Sequence, residues 1–250
     1  MIENMDLMER YEAGRKHEVW SELRQLGGRV WEPEHREIAW EICSAACEIQ
    51  AENLRRAVEI MRRHGYEFAT PGPGTTRTPH DPIVPPGRDT PAFVDWLEDK
   101  FGPIGMLGRA FVQLIGDVNL NGILPAWGDE FALVDPFMFE VEAKAYGDDV
   151  RRALLDEYEL YAEDDNEAEF GIAFAPDDYH KANISGAGPY LLRRPAEGVD
   201  SAVEIGGSEM GLVDYLNRNL AAGFFPGLDR SEGGLDTTMV DEIIAVVKSI

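Results

Sequence analysis

The chain has 250 residues, with 47 acidic and 23 basic side chains and a formal net charge of −24. Residues 1–66 hold only −3 of that charge, so residues 67–250 hold the remaining −21. A field of this sign repels nucleic-acid phosphates and anionic membrane surfaces, and it attracts basic protein surfaces. We therefore expect neither a nucleic acid nor a membrane as partner. Because 44% of the residues are hydrophobic, the chain can bury a core.

The N-terminus and the cysteines bear on the cellular compartment. The first residues lack the basic and apolar regions of a secretory signal, and no apolar run approaches the roughly 20 residues that span a bilayer. Cys43 and Cys47 lie one turn apart in a predicted helix, a spacing that disfavours a disulfide between them. We expect a cytoplasmic protein with buried free thiols and no cofactor.

Residues 1–67 are predicted to form a helical hairpin. A first apolar stripe begins near Trp20 and ends at Gly27, a natural helix stop. The second helix begins at Pro33, which is tolerated in a first turn, and ends at Gly65. Two helices alone bury too little apolar area for stability, so this hairpin must pack against something else. The apolar face of the second helix comprises Ile38, Ile42, Ala45, Ala46, Ile49, Leu54, Val58 and Met61.

Residues 68–91 interrupt this periodic pattern. They contain seven prolines and three glycines, a composition that excludes a helix or a central strand. A segment of this length without regular structure is either a linker or a functional loop that wraps around the domain.

Residues 92–250 show the alternating and helical patterns of an α+β domain, with a mostly antiparallel sheet flanked by helices. In its second helix, Leu107, Phe111, Leu114 and Ile115 are predicted to face inward. The predicted elements are helices that begin near Phe93 and Met106, strands over 137–142, 170–175 and 179–184, and closing helices over 210–220 and 239–250.

The densest acidic run extends from Asp156 to Glu169 and includes Glu163, Asp164 and Asp165. Such runs are usually solvated surfaces, and they also suit the docking of a basic partner. A calcium loop would need glycine at its sixth position, which this run lacks. The run therefore predicts a solvated or docking surface rather than a calcium site.

The second candidate site is the stretch 177–183, where Asp177, Asp178, Tyr179 and His180 are consecutive. Carboxylates beside a histidine can perform acid–base chemistry or hold a metal ion. On a strand, however, Asp178 and His180 would share one face and Asp177 the other. At most two ligands would then meet, so a turn followed by a polar strand face is the simpler interpretation.

A third candidate is the loop that contains Trp127, Asp129 and Glu130. An aromatic residue beside two acids has the composition of an anchor for a basic peptide, although a tryptophan that caps the core fits equally well. The glycine-rich stretches near 72 and 186 lack the features of a phosphate-binding loop, and no Gly-x-Ser-x-Gly motif occurs.

Three stretches resemble the opening of a SUKH-type domain: Phe93–Ile104, Gly108–Phe111 and Ile115–Gly122. The resemblance covers roughly residues 90–175. It implies a short helix, a break, a helix with an aromatic residue, and an Asn/Gly turn into the first strands. Many bacterial proteins of this type are immunity proteins that neutralise toxins. The wider chain is similar to a group of uncharacterised bacterial proteins, through Tyr11–Gly14, Val19–Leu23, His180–Gly186 and Gly223–Gly227.

Together these features favour a non-enzymatic, acidic immunity-type protein that binds a basic partner such as a toxin domain and occludes its active site. One alternative is an oligomeric scaffold in which the N-terminal hairpin pairs with a second copy. Another is a metal-dependent hydrolase that uses the Asp177, Asp178 and His180 region. A third is a nucleic-acid mimic, which shares the charge argument with the leading hypothesis.

Overall fold

The computed structural model describes residues 6–69, 81–127, 133–142, 150–163, 170–184, 186, 188–231 and 234–250. These residues form a mixed α+β fold, as the sequence predicts, and every pair of neighbouring strands is antiparallel. The helices are α1 Leu7–Glu12, α2 Lys16–Leu26, α3 Pro33–Arg63, α4 Thr90–Phe101, α5 Met106–Leu114, α6 Val150–Glu163, α7 Asp178–Lys181, α8 Leu212–Ala221 and α9 Thr238–Val246. The strands are β1 Glu67–Phe68, β2 Ile83–Val84, β3 Asp117–Asn119, β4 Gly122–Ile123, β5 Met138–Phe139, β6 Gly171–Ala175, β7 Tyr190–Arg193, β8 Ala202–Ile205 and β9 Ser208–Gly211.

The N-terminal helices begin and end where local signals place them. The C-cap of α2 is Gly27, whose φ of 53° suits glycine. Helix α3 has Pro33 in its first turn, and the chain leaves it through Gly65 at φ 78°. Helix α1, which was not predicted, begins with a capping box formed by Asp6 and Glu9. Helix α3 packs against α5 and α9, so the rest of the chain covers much of its apolar face.

The described ends of the proline-rich segment pair with strands of the following region. Strand β1 pairs with β4, and the backbone N–H of Ala69 donates to the carbonyl oxygen of Asn121 at 2.7 Å. Strand β2 lies at the edge of a sheet with the order β2-β3-β5, a position where the neighbouring prolines cost no ladder hydrogen bonds. Residues 70–80, the middle of the predicted linker or wrapping loop, lie outside the described residues.

A four-stranded sheet with the order β6-β7-β8-β9 forms the largest sheet of the described chain. The alternation over 170–175 predicts β6 correctly, whereas the strand predicted over 137–142 is reduced to Met138–Phe139. The hairpin of β8 and β9, which turns at Gly206 and Gly207, was not predicted. Leu114, the last residue of α5, was predicted to face inward but is 46% exposed.

The buried apolar residues form one cluster that extends from Tyr11 in α1 to Ile250 at the C-terminus. Cys43 and Cys47 lie inside it as free thiols, as predicted. None of the described helices has both the length and the apolar character to cross a bilayer. The boundaries proposed for the hairpin, the linker and the α+β domain stay a prediction.

Candidate functional site

The stretch that begins at Asp177 forms a helical turn, so the strand predicted over Tyr179–Ile184 is wrong. The side chain of Asp177 accepts a hydrogen bond from the backbone N–H of His180 at 3.0 Å and thereby caps α7. Aspartate is among the best N-cap residues, because its carboxylate satisfies a backbone N–H that has no partner within the helix. The strand that pairs with β6 is instead β7, which begins at Tyr190.

The helical turn changes which side chains meet. The pair is Asp177 and His180, not Asp178 and His180, and Oδ2 of Asp177 lies 2.5 Å from Nδ1 of His180. Asp177 is buried, whereas the side chain of His180 is half-exposed. Desolvation opposes the charge on Asp177, but the hydrogen bonds from His180 outweigh it and lower the pKa of the carboxyl group. The carboxylate of Asp177 can therefore hold the His180 ring in one orientation, with Nε2 directed away from Asp177.

Residue 186 lies against the carboxylate of Asp177, and a side chain larger than that of glycine would clash there. A Cβ atom added at Gly186 would lie 2.1 Å from Oδ1 of Asp177, far inside van der Waals contact. The backbone of residue 186 therefore covers the carboxylate directly, which helps to explain its burial.

A buried ion pair lies on the other side of α7. Nζ of Lys181 lies 2.5 Å from Oδ1 of Asp135, and the hydroxyl of Tyr190 donates to Oδ2 of Asp135 at 3.0 Å. The Lys181 side chain is 1% exposed, and its ammonium also lies 4.4 Å from the centre of the Tyr190 ring. Burial lowers the pKa of Lys181, although Asp135 acts in the opposite direction. This pair fixes α7 to the loop that contains Asp135.

Two cavities meet at Asp177. One, of about 410 Å³, lies between α6, β6 and α7, and we call it the α6 cavity; His180 and Glu157 line it. The other, of about 340 Å³, lies between α7 and α8 and is lined by Asp135 and Tyr190. The α6 cavity is within the usual size range of small-molecule sites, about 300–1,000 Å³.

The outer surface of α6 combines an exposed leucine with carboxylates. Helix α6 is attached to the domain through Tyr158, whose ring centre lies 5.4 Å from that of Phe101. On the opposite side Leu160 is 63% exposed. Asp156 and Glu163 lie one turn away along the same face, and both are exposed. We call Asp156, Glu159, Leu160 and Glu163 the outer face of α6.

The remaining predicted residues are spread over the molecule. Trp127 is only 7% exposed, and its indole N–H donates to the carbonyl oxygen of Asp236 at 2.7 Å. Its ring packs against Phe225 with centres 5.3 Å apart, as expected for a tryptophan that caps the core. Asp178 is half-buried, and Tyr179 is 44% exposed beside it. Asp129, Glu130, Asp164 and Asp165 lie outside the described residues.

Sequence reasoning missed two participants of this region. Asp135 is 46 positions from Lys181, and neither residue carries a local signal for the pair. Glu157 was counted in the acidic run, yet it lines a cavity rather than the outer surface. The helical period of α6 could have separated Glu157 from Glu163, because only the former lies near the buried Leu154.

Within the described part of the chain, no group of three or more His, Cys, Asp and Glu side chains is arranged so that it could hold a metal ion. Comparison with protein-family models, with curated proteins and with solved structures finds no match to this chain.

Proposed function

We propose that the protein is a non-enzymatic binding module that recognises a basic protein through the outer face of α6, and that the partner is a toxin domain. The observation that carries the proposal is the exposure of Leu160, 63%, between the exposed carboxylates of Asp156 and Glu163. An isolated exposed leucine is ordinary. An exposed leucine that is flanked by several negative charges has the composition of an interface, with an apolar anchor and a charged rim.

The charge of the whole chain supports a basic partner. A net charge of −24 accelerates the approach of cationic surfaces, and the outer face of α6 places three carboxylates around the proposed anchor. Asp156 forms an exposed ion pair with Arg152 at 3.7 Å, which contributes little stability and is easily exchanged. The proposal that the partner is a toxin rests on the resemblance of residues 90–175 to SUKH-type domains.

The first test separates the apolar anchor from the charge. The probe is a synthetic helical peptide rich in lysine with one phenylalanine, and its affinity is measured by fluorescence anisotropy. Leu160→Asp adds a negative charge, which by itself would strengthen binding to this peptide. We expect it instead to weaken binding about tenfold or more, because the anchor is lost.

The matched control is Ile123→Asp, since Ile123 is 62% exposed and receives the same added charge. It is expected to change the affinity by less than about twofold. If both variants bind the peptide like the unmodified protein, the outer face of α6 is not the contact surface.

The second test concerns rates. Stopped-flow association with the same peptide is expected to slow steeply as NaCl rises past physiological ionic strength, while dissociation changes little. Glu159→Gln combined with Glu163→Gln is expected to lower the low-salt association rate several-fold and to flatten its salt dependence. A flat salt response of the unmodified protein would remove the charge argument.

A further inference from the structure

The walls of the α6 cavity are mostly apolar. The inner side of α6 contributes Val150, Ala153 and Leu154, and strand β6 contributes Phe174 and Ala175. Leu154 is the buried apolar residue of α6, so the helix covers the cavity with its inner face. A ligand in this cavity of about 410 Å³ would contact apolar surface over most of its body.

Three acidic side chains line the cavity. Glu140, Glu157 and Asp177 contribute carboxylates, and among the described residues neither lysine nor arginine lines the cavity. Asp177 is engaged with His180, and Oε2 of Glu140 accepts from Asn119 at 3.2 Å. A neutral or anionic ligand would leave this negative field uncompensated.

Glu157 differs from the other two carboxylates. Within the described part of the chain its carboxylate has neither a hydrogen bond nor an ion pair. Burial raises the pKa of its carboxyl group, because desolvation penalises the charged form. Glu157 is half-buried, so a cation beside its carboxylate would offset part of this desolvation.

The histidine adds a directed acceptor. Nδ1 of His180 lies 2.5 Å from the carboxylate of Asp177, so in a neutral ring this contact selects the tautomer that has its proton on Nδ1. Nε2 then carries the lone pair, and the half-exposed ring lines the same cavity as Glu157. An ammonium group has three donors and no acceptor, so it complements a carboxylate and an imidazole lone pair together.

We propose that the α6 cavity binds a primary ammonium group carried on a short apolar chain. Glu157 and Nε2 of His180 accept its N–H donors, and the chain lies against Leu154 and Phe174. A free alkylamine and a lysine side chain share this chemistry. The site does not depend on the partner proposed for the outer face of α6. Glu157 and Leu154 are on the inner side of that helix, and His180 and Phe174 belong to other elements.

The test uses n-hexylamine as the probe, with 1-hexanol and hexanoate as isosteres, on the full chain. Binding is followed by calorimetry and by chemical-shift changes of the His180 ring. We expect hexylamine to bind about tenfold more tightly than hexanol, and hexanoate to bind more weakly than both. Glu157→Gln is expected to weaken hexylamine binding about tenfold, and Glu159→Gln, on the outer side of the same helix, by less than about twofold.

Equal binding of hexylamine and hexanol, or equal losses in the two glutamine variants, would overturn the proposal. A third arm uses a lysine derivative blocked at both its α-amino and carboxyl groups. If it displaces hexylamine with the same dependence on Glu157, a partner's lysine side chain can occupy the site; if it fails to displace hexylamine, the site takes a free amine. Both outcomes uphold the ammonium site. The Leu160→Asp variant is expected to retain hexylamine binding, which separates this site from the proposed function.

Discussion

Replacing Asp135 by asparagine is expected to lower the free energy of unfolding by about 3–5 kcal/mol, the usual cost of removing one partner of a buried ion pair. Lys181 is 1% exposed, and its ammonium lies 2.5 Å from Asp135. Without that carboxylate the lysine must either bury an uncompensated charge or lose its proton, and both cost stability. Asparagine suits this position because Asp135 has a φ of 48°, a left-handed conformation that asparagine tolerates.

Urea unfolding followed by tryptophan fluorescence measures this loss. The control is Asp95→Asn, because Asp95 forms an exposed pair with Arg109, which keeps its second partner Glu98. We expect that control to change the unfolding free energy by less than about 1 kcal/mol. If Asp135→Asn costs no more than Asp95→Asn, the pair with Lys181 does not stabilise the fold.

A double variant distinguishes the pair from the individual residues. Asp135→Asn combined with Lys181→Met removes both charges, so no uncompensated charge is left in the interior. Replacement of a whole buried pair by residues of similar volume is often close to neutral. The double variant is therefore expected to be more stable than Asp135→Asn alone, with a coupling of about 1–3 kcal/mol.

The helices with strong end signals could be predicted from the sequence, because those signals act over a few residues. Gly27 ends α2 and Pro33 begins α3, as glycine and proline dictate almost independently of the rest of the fold. The alternation of large and small apolar residues over β6 likewise indicates a strand, although residues on both of its faces are buried. At Tyr179–Ile184 two local signals compete. The cap formed by Asp177 determines the outcome there, and a short alternation of side chains loses to it.

The candidate site could be predicted only in part. The proximity of Asp177 and His180 follows from their spacing once the segment is helical, since residues three apart share a helix face. The pair of Asp135 and Lys181 depends on the packing of a distant loop, and no sequence pattern within either segment encodes it. The α6 cavity depends on the distance between a helix and a sheet, which the sequence of neither element contains.

Alkaline solution is expected to destabilise the protein strongly, because the native state retains the acidic protons of six buried side chains among the described residues. Burial raises the pKa of four tyrosines and of both cysteines, with desolvation as the largest cause in each. In the unfolded chain cysteine loses its proton near about pH 8.5 and tyrosine near about pH 10. The six residues are Tyr11, Tyr66, Tyr190, Tyr215, Cys43 and Cys47.

The sign follows from proton counting. Above those unfolded pKa values the unfolded state binds fewer protons than the native state, so stability falls as the pH rises. Each group contributes a slope of about 1.4 kcal/mol per pH unit, and the six together reach the order of 10 kcal/mol by about pH 11. That is comparable with the whole stability of a typical domain, about 5–15 kcal/mol. The lowered pKa values of Lys16 and Lys181 act in the opposite direction, but these are two groups against six.

Tyr66→Phe isolates one of these contributions. At neutral pH it removes the hydrogen bond from the Tyr66 hydroxyl to the carbonyl oxygen of Leu120, 2.8 Å long, and is expected to cost about 1 kcal/mol. Above about pH 10 it should flatten the fall in stability by about 1.4 kcal/mol per pH unit. Phe68→Leu perturbs the same aromatic contact, with ring centres 5.2 Å apart, without removing a titrating group, so its slope should equal that of the unmodified protein. Urea unfolding across the alkaline range measures these slopes. A native-state absorbance titration in which Tyr66 ionises before the fold is lost would contradict the argument, because the retained proton is what links the burial of this hydroxyl to stability.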